Sequence, residues 1–174
     1  MNMETNRLVL RPSLPVNLLA LMESEERYAK VSGLRAAEGL RDFFVSEDVS
    51  QSYVDQLRES DGADPWQYGF AIILRDSNEA IGSVGFKGPP DANGTVEIAY
   101  GIVPVHQGQG YAGEAAEAAI GFAFANPKVR VIRAHTMPEH NASTSILAKC
   151  GFTQIGEIVD PEDGLVWRWE RRRA

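Results

Sequence analysis

The chain has 174 residues, enough for one compact domain and too few for two of ordinary size. Apolar residues make up 44% and charged residues 24%, so a core can form and the composition is that of a globular protein. A net charge of −7 argues against a general nucleic-acid binder, and the single cysteine excludes an internal disulfide framework or a multi-cysteine metal site.

The first element is Arg7 to Arg11, where Leu8 and Leu10 alternate with Arg7, Val9 and Arg11 before Pro12 ends the run. That is a short strand at or near a sheet edge. Leu18, Leu19, Leu21 and Met22 have helical spacing, and one or more helices cover Val16 to Lys30. A further helix spans about Glu47 to Glu59, with Val49, Tyr53, Val54 and Leu57 on one face. The period then changes to two. Tyr68 to Leu74 and Ala80 to Phe86 form a hairpin across the turn Asp76–Glu79. After a Pro/Gly/Asn loop from Lys87 to Gly94, Thr95 to Val103 is a strand with Val96, Ile98, Tyr100 and Ile102 on one side.

A Gly-rich turn leads into a helix from about Gly110 to Ala125, with Tyr111, Ala115, Ala118 and Phe122 as its core stripe. It is too short, and too charged at Glu114 and Glu117, to cross a bilayer, so no membrane partner is expected. Val129 to Thr136 is a strand, Asn141 to Cys150 a helix capped by Gly151, and Phe152–Ile158 with Leu165–Trp169 a last antiparallel pair. The order predicts a mixed α/β fold of one domain over residues 1–174. Its sheet is mostly antiparallel, with one central parallel pair and flanking helices. The three histidines, 106, 135 and 140, lack zinc spacing and a visible partner, so no metal is expected and each reads as exposed or packing. No signal-like segment opens the chain, which makes a cytoplasmic location the expectation. Arg171-Arg172-Arg173 reads as a solvated tail.

The stretch IAYGIVPVHQGQGYAGEA, Ile98 to Ala115, carries the chemistry. A strand enters a turn with glycines at 108, 110 and 113, and a helix begins there. First-turn N–H groups lack partners, the helix dipole makes that end positive, and glycines admit an oxygen-rich group close to the backbone. This is the makeup of a phosphate cradle. No Gly-Lys-Ser/Thr follows, so it is not a nucleotide P-loop. The G-x-G-x-x-G string lacks the parallel setting and the later acidic residue of a dinucleotide site. By themselves the glycines would fit a tight strand-to-helix turn equally well.

Gln107-Gly108-Gln109-Gly110-Tyr111-Ala112 resembles the acyl-CoA signature (Q/R)-x-x-G-x-(G/A) of the GNAT superfamily of N-acetyltransferases. ETNRLVLRP, VEIAYGI, GQGYAGEAAEA and NASTSILAKCGF are similar, in the same order, to the RimJ/RimL-type branch, and together they span most of the chain. The resemblance implies the GNAT acyl-CoA N-acyltransferase fold and acetyl-CoA as cosubstrate in an opening between Thr95–Val103 and Val129–Thr136. It also implies a bulge in the first of these strands. Backbone near Tyr100, Gly101 and Ile102 would hold the pantetheine arm. The loop Gln107, Gly108, Gln109, Gly110, Tyr111, Ala112 and Gly113 would hold the pyrophosphate. Asn141 resembles the family's polar contact, although alignment on Gly151-Phe152 puts His140 there instead. The position of the family's tyrosine is Leu147. Members of this branch are often dimers.

Acetyl transfer to an amine needs a neutral nitrogen, a donor for the thioester oxygen and a route for the leaving sulfur. Glu97 is the candidate base, its pKa raised if apolar neighbours surround it, or else an ordinary solvent-facing glutamate. Ser143 either donates toward the sulfur or caps the helix. Cys150 reads as a buried thiol. Trp66 is a core aromatic or lines the acceptor groove, which the early helices and the loops Asp61–Trp66 and Lys87–Asn93 are expected to build. The reading is an acetyl-CoA-dependent N-acetyltransferase acting on a primary amine. The alternatives are an acyl-CoA-binding module without catalysis and a transferase for a longer acyl chain.

Overall fold

The computed structural model describes residues 2–46 and 49–174. Strand β1 (Met3–Glu4) and β2 (Leu8–Pro12) lead into α1 (Pro15–Glu23) and α2 (Glu25–Ser32). The predicted Val16–Lys30 region thus divides at Ser24, whose side chain accepts a hydrogen bond from the Arg27 backbone N–H and starts α2. Strand β3 (Arg35–Ala36) follows, then α3 (Gln51–Glu59) and α4 (Pro65–Tyr68). Of the predicted Glu47–Glu59 helix, Glu47 lies outside the described residues; the helix starts after Ser50, which caps it, so Val49 stands before it. Tyr68 belongs to α4 rather than to the strand predicted from it, because Asp64 and Pro65 make a helix start.

Next come β4 (Phe70–Leu74), β5 (Glu79–Phe86) and β6 (Thr95–Ile102), then α5 (Tyr111–Ala125), β7 (Val131–Thr136), α6 (Ala142–Lys149), β8 (Thr153–Asp160) and β9 (Gly164–Arg172). The sheet order is β1-β2-β4-β5-β6-β7-β9-β8, with β3 adding a two-residue parallel bridge to β5. Along the main path only β6 and β7 are parallel.

Helix α5 lies on one face, against β2, β5 and β6. Its buried stripe is Ala115, Ala116, Ala119, Ile120 and Ala123, rotated from the predicted one, with Phe122 at its flank against Trp66 and Phe70. Alanines let the helix axis approach the sheet closely. On the opposite face, Leu18, Leu21 and Tyr28 of α1 and α2 line a small pocket together with Ala71 and Ser83. The central strands are sealed from both sides: Phe70, Ile72, Ile81 and Val84 have essentially no exposure, and each contributes roughly 1.5–3 kcal/mol of transfer free energy.

The C-terminal arginines are structural rather than a solvated tail. Arg171 and Arg172 belong to β9; Arg171 donates to the Cys150 carbonyl, and Arg173 donates to the carbonyls of Phe124, Asn126 and Val129. These carbonyls end α5 and enter β7, so a guanidinium replaces water at an otherwise unpaired helix end. Among the described residues no helix is long and apolar enough to cross a membrane.

Candidate active site

The parallel pairing of β6 with β7 covers only Thr95–Glu97 against Val131–Arg133. Beyond it β6 stays with β5 and β7 stays with β9, and the two strands part. The β5–β6 register runs from Gly82/Ile102 to Phe86/Ile98 without a shift, so the predicted bulge in β6 is absent. Backbone groups are freed here by divergence of two strands held by different partners, not by an inserted residue.

A cavity of about 580 Å³ opens at this fork. Tyr100, Gly101, Ile102, Gln107, Gly108, Gly110, Tyr111, Ala112, Gly113 and Ser143 line it, with Phe43, His106 and Lys149 among the rest. Gln109 and Asn141 do not. Gln109 gives its carbonyl to Arg7. The Asn141 side chain accepts from the Thr144 N–H in a capping box, and His140 packs on the Trp167 ring. Asn141 and His140, the two candidates for the polar cofactor contact, therefore have their side chains engaged elsewhere. The same capping box removes the helix-cap role from Ser143, whose side chain is left to the cavity.

The loop presents unpaired donors and an open backbone. Gln107 Nε2 donates to the Ile102 carbonyl at 2.9 Å and folds the loop back onto β6. Gly108 and Gly110 are left-handed, at φ 78° and 85°, which only glycine adopts freely. Gly110 caps α5 without a side chain, and the first intrahelical bond runs from the Glu114 N–H, leaving the N–H groups of Tyr111, Ala112 and Gly113 without intrahelical partners. A Cβ at Gly108 or Gly113 would meet nothing within 4 Å. Glu114 sits in this first turn, but its charge is spent on Arg7, 2.8 Å from the guanidinium, and on Thr5. Burial works to raise the Glu114 pKa; the hydrogen bonds from Thr5 and Arg7 outweigh it and hold the carboxyl below its usual value.

A second cavity of about 160 Å³ adjoins the first and shares Tyr100 and Ser143 with it. Glu97, Lys87, His135, Thr136 and Asp163 stand around it. Glu97 is not set among apolar groups. Its Oε2 lies 3.0 Å from Lys87 Nζ and 3.1 Å from His135 Nδ1. Burial acts to raise its pKa, but His135 and Lys87 more than offset that, and the carboxyl is held below the ordinary glutamate range. The expected upward shift is thus reversed, because the neighbours are cationic or donors rather than apolar. Burial, with Cys150 nearby, pushes the Tyr100 phenol up to about 12. Leu147 is part of the core and Cys150 is a free buried thiol pushed up to about 11 by its burial.

The sequence did not reveal His135 or the Tyr100 side chain as site groups, and it gave Lys87 only as the first residue of a groove loop. None of the histidines is idle: His106 Nε2 meets Glu79 Oε1 at 2.9 Å, and His135 meets Glu97. The only available signal for His135 was its position on the strand facing Glu97, and that requires the parallel register. Trp66 packs between Phe86 and Phe122, 5.0 Å from each ring, and lines neither cavity. Of the predicted groove loops only Lys87 reaches the small cavity; the other wall is Asp163, from the β8–β9 turn.

Residues 7–153 match a family profile described as an acetyltransferase (GNAT) domain. The chain is 30% identical over 153 residues to the uncharacterized N-acetyltransferase YjdG of Bacillus subtilis, covering 86% of this chain and 88% of that one. In fold it resembles a GNAT-family acetyltransferase from Bacillus anthracis at a TM-score of 0.67 and 22% identity, over 99% and 98% of the two chains. It also resembles RimL, a ribosomal L7/L12 alpha-N-protein acetyltransferase solved with coenzyme A, at a TM-score of 0.67 and 16% identity over 99% and 98%. A strand fork feeding an uncapped helix start, in a chain matched over most of its length, leads to one assignment: this protein is an enzyme of the GNAT N-acetyltransferase family, with a fold like that of RimL.

Proposed function

We propose that the enzyme transfers an acetyl group from acetyl-CoA to a primary amine by direct attack in a ternary complex. The observation that carries this is the adjacency of the two cavities, one at the unpaired N–H groups of α5 and one at Glu97, both lined by Tyr100 and Ser143. Acetyl-CoA supplies an activated acyl carbon and a thiolate leaving group. The residues present suit it: the N–H groups of Tyr111 to Gly113 and the open backbone at Gly108 accept a pyrophosphate, and Lys149 adds a cation to the same lining. The separated edge of β6 from Tyr100 to Ile102 offers its polar groups to an extended amide chain.

The smaller cavity takes the amine. Glu97, ionised at neutral pH, attracts the ammonium into place. Its low pKa makes it a weak proton acceptor, so the proton passes to water from a nitrogen that Glu97 holds. The N–C bond then forms as the C–S bond breaks; the nitrogen, cationic after attack, loses its second proton to water, and water returns a proton to the hydroxyl that protonates the sulfur. Tyr100 and Ser143, at the junction, carry the hydroxyl groups that can protonate the departing sulfur; Leu147 cannot. The acceptor is a protein N-terminus, an amino acid or peptide, a polyamine or an aminoglycoside.

A CoA-release assay with acetyl-CoA and a panel of these amines tests the reading. Sustained turnover on at least one amine, with calorimetric binding of CoA, is the expected result. Binding without release on any amine would make the protein an acyl-CoA-binding module instead. Preference for succinyl-CoA over acetyl-CoA would reassign the acyl group.

A further inference from the structure

The Glu97 carboxylate is asymmetric, and the asymmetry has a source two residues away. Both of its neighbours, Lys87 Nζ and His135 Nδ1, make their closest approach at Oε2, at 3.0 and 3.1 Å, and among the described residues no hydrogen bond reaches Oε1. His135 on β7 is the register partner of Arg168 on β9, and Arg168 Nε–H donates to His135 Nε2 at 3.1 Å. A guanidinium only donates, so Nε2 must be the bare nitrogen, and the imidazole proton sits on Nδ1. A carboxylate only accepts, so Nδ1–H is what Glu97 requires. The two ends of the ring select the same tautomer.

We propose that Arg168 and His135 are positioning residues for the acceptor amine: Arg168 locks the imidazole as its Nδ1–H form, and that N–H, with Lys87, occupies Oε2 of Glu97 so that Oε1 faces the incoming ammonium. This rests on the reading of the small cavity as the amine's site. Catalysis by contact stays with Glu97. A second proton on His135 would put an N–H against the Arg168 N–H and break the lock. The charged groups around this ring come from every neighbouring element: Glu97 from β6, Lys87 from the loop after β5, Arg133 from β7, Arg168 and Glu170 from β9, and Asp160 with Asp163 from the β8–β9 turn.

Long-range ¹H–¹⁵N correlation spectra of the histidine-labelled full chain at pH 8, without ligand, test the lock directly, with His135 identified by its loss in His135→Asn. Wild type should show Nδ1 protonated and Nε2 bare, and Arg168→Met should lower the share of that tautomer, with Glu97 alone left to select it. A protonated Nε2 in wild type overturns the proposal whether or not any amine is acetylated. With a turned-over amine, His135→Leu should raise KM roughly tenfold, the loss of one charge-assisted contact on Glu97, with kcat changed less. The acid limb of kcat/KM should move up in pH, because the Nδ1–H no longer opposes the effect of burial on Glu97. His135→Asn, which puts an amide N–H where Nδ1 stands, should restore both values. A His135→Leu enzyme that melts earlier but keeps the wild-type KM and acid limb would reduce His135 to a structural residue and sink the proposal.

Discussion

Glu97 shows how neighbours decide what a carboxyl can do. Its strand position is plain in the sequence, but the expected apolar surroundings are replaced by Lys87 and His135, and the carboxyl ionises more readily instead of less. Glu97→Gln should therefore raise the amine KM by roughly ten- to a hundredfold, the worth of a hydrogen bond to a charged group, while CoA affinity by calorimetry stays near wild type. An unchanged KM and pH profile would remove Glu97 from the site. At the junction of the cavities the hydroxyls separate by substitution. Tyr100, pushed up to about 12, keeps its proton throughout the working range and so is no base. If it is the donor to sulfur, Tyr100→Phe lowers kcat roughly 10²-fold with little change in melting temperature. Ser143→Ala tests the other donor, and because Asn141 and Thr144 form the cap, its melting temperature should be unchanged. Asn141→Ala should lose about 1 kcal/mol of stability on thermal denaturation.

At the level of the element, the start of α5 forgoes a side-chain cap and leaves exposed the N–H groups that the proposed function gives to the pyrophosphate. A side-chain N-cap would satisfy N–H groups that Gly110 leaves open. Gly113 lies inside the first turn, with nothing within 4 Å of an added Cβ. Gly113→Ala should stabilise the protein by about 0.5–1 kcal/mol, since alanine loses less backbone freedom in a helix. The same methyl should weaken CoA binding, measured by calorimetry, because it stands where a phosphate approaches the backbone. A gain in stability with undiminished affinity would place the pyrophosphate elsewhere. Glu114 supplies a pH signature. Its folded pKa is lowered, so its contribution is complete above the usual glutamate value of about 4.3 and is lost as pH falls through the folded value. In thermal melts from pH 7 to pH 3, Glu114→Gln should be less stable than wild type at neutral pH, and the difference should close at the acid end.

Across the whole molecule, the sheet is two halves joined by three residue pairs of β6 and β7. The rest of each strand belongs to a different partner, and the fork is the consequence. Amide exchange with and without CoA should show protection at residues 98–102 and 111–113 and little change in β8, on the far side of β9. Uniform protection, or none at the fork, would contradict ligand entry there.

What the sequence determined by itself was local and periodic. The strands and helices around Thr95–Thr136 were legible from alternation and spacing, the Gly-rich turn from its glycines, and the family from the resemblance of several motifs and their order along this chain. These features depend on neighbours within a few residues. The tertiary structure decided everything that requires two distant segments. It placed Lys87 and His135 on Glu97, paired His135 with Arg168 across β7 and β9, gave Glu114 to Arg7, and turned the C-terminal arginines into a clasp on α5. A pKa, a tautomer and a free carboxylate oxygen are set by distances of about 3 Å between residues far apart in the chain, and composition and periodicity carry no record of such distances.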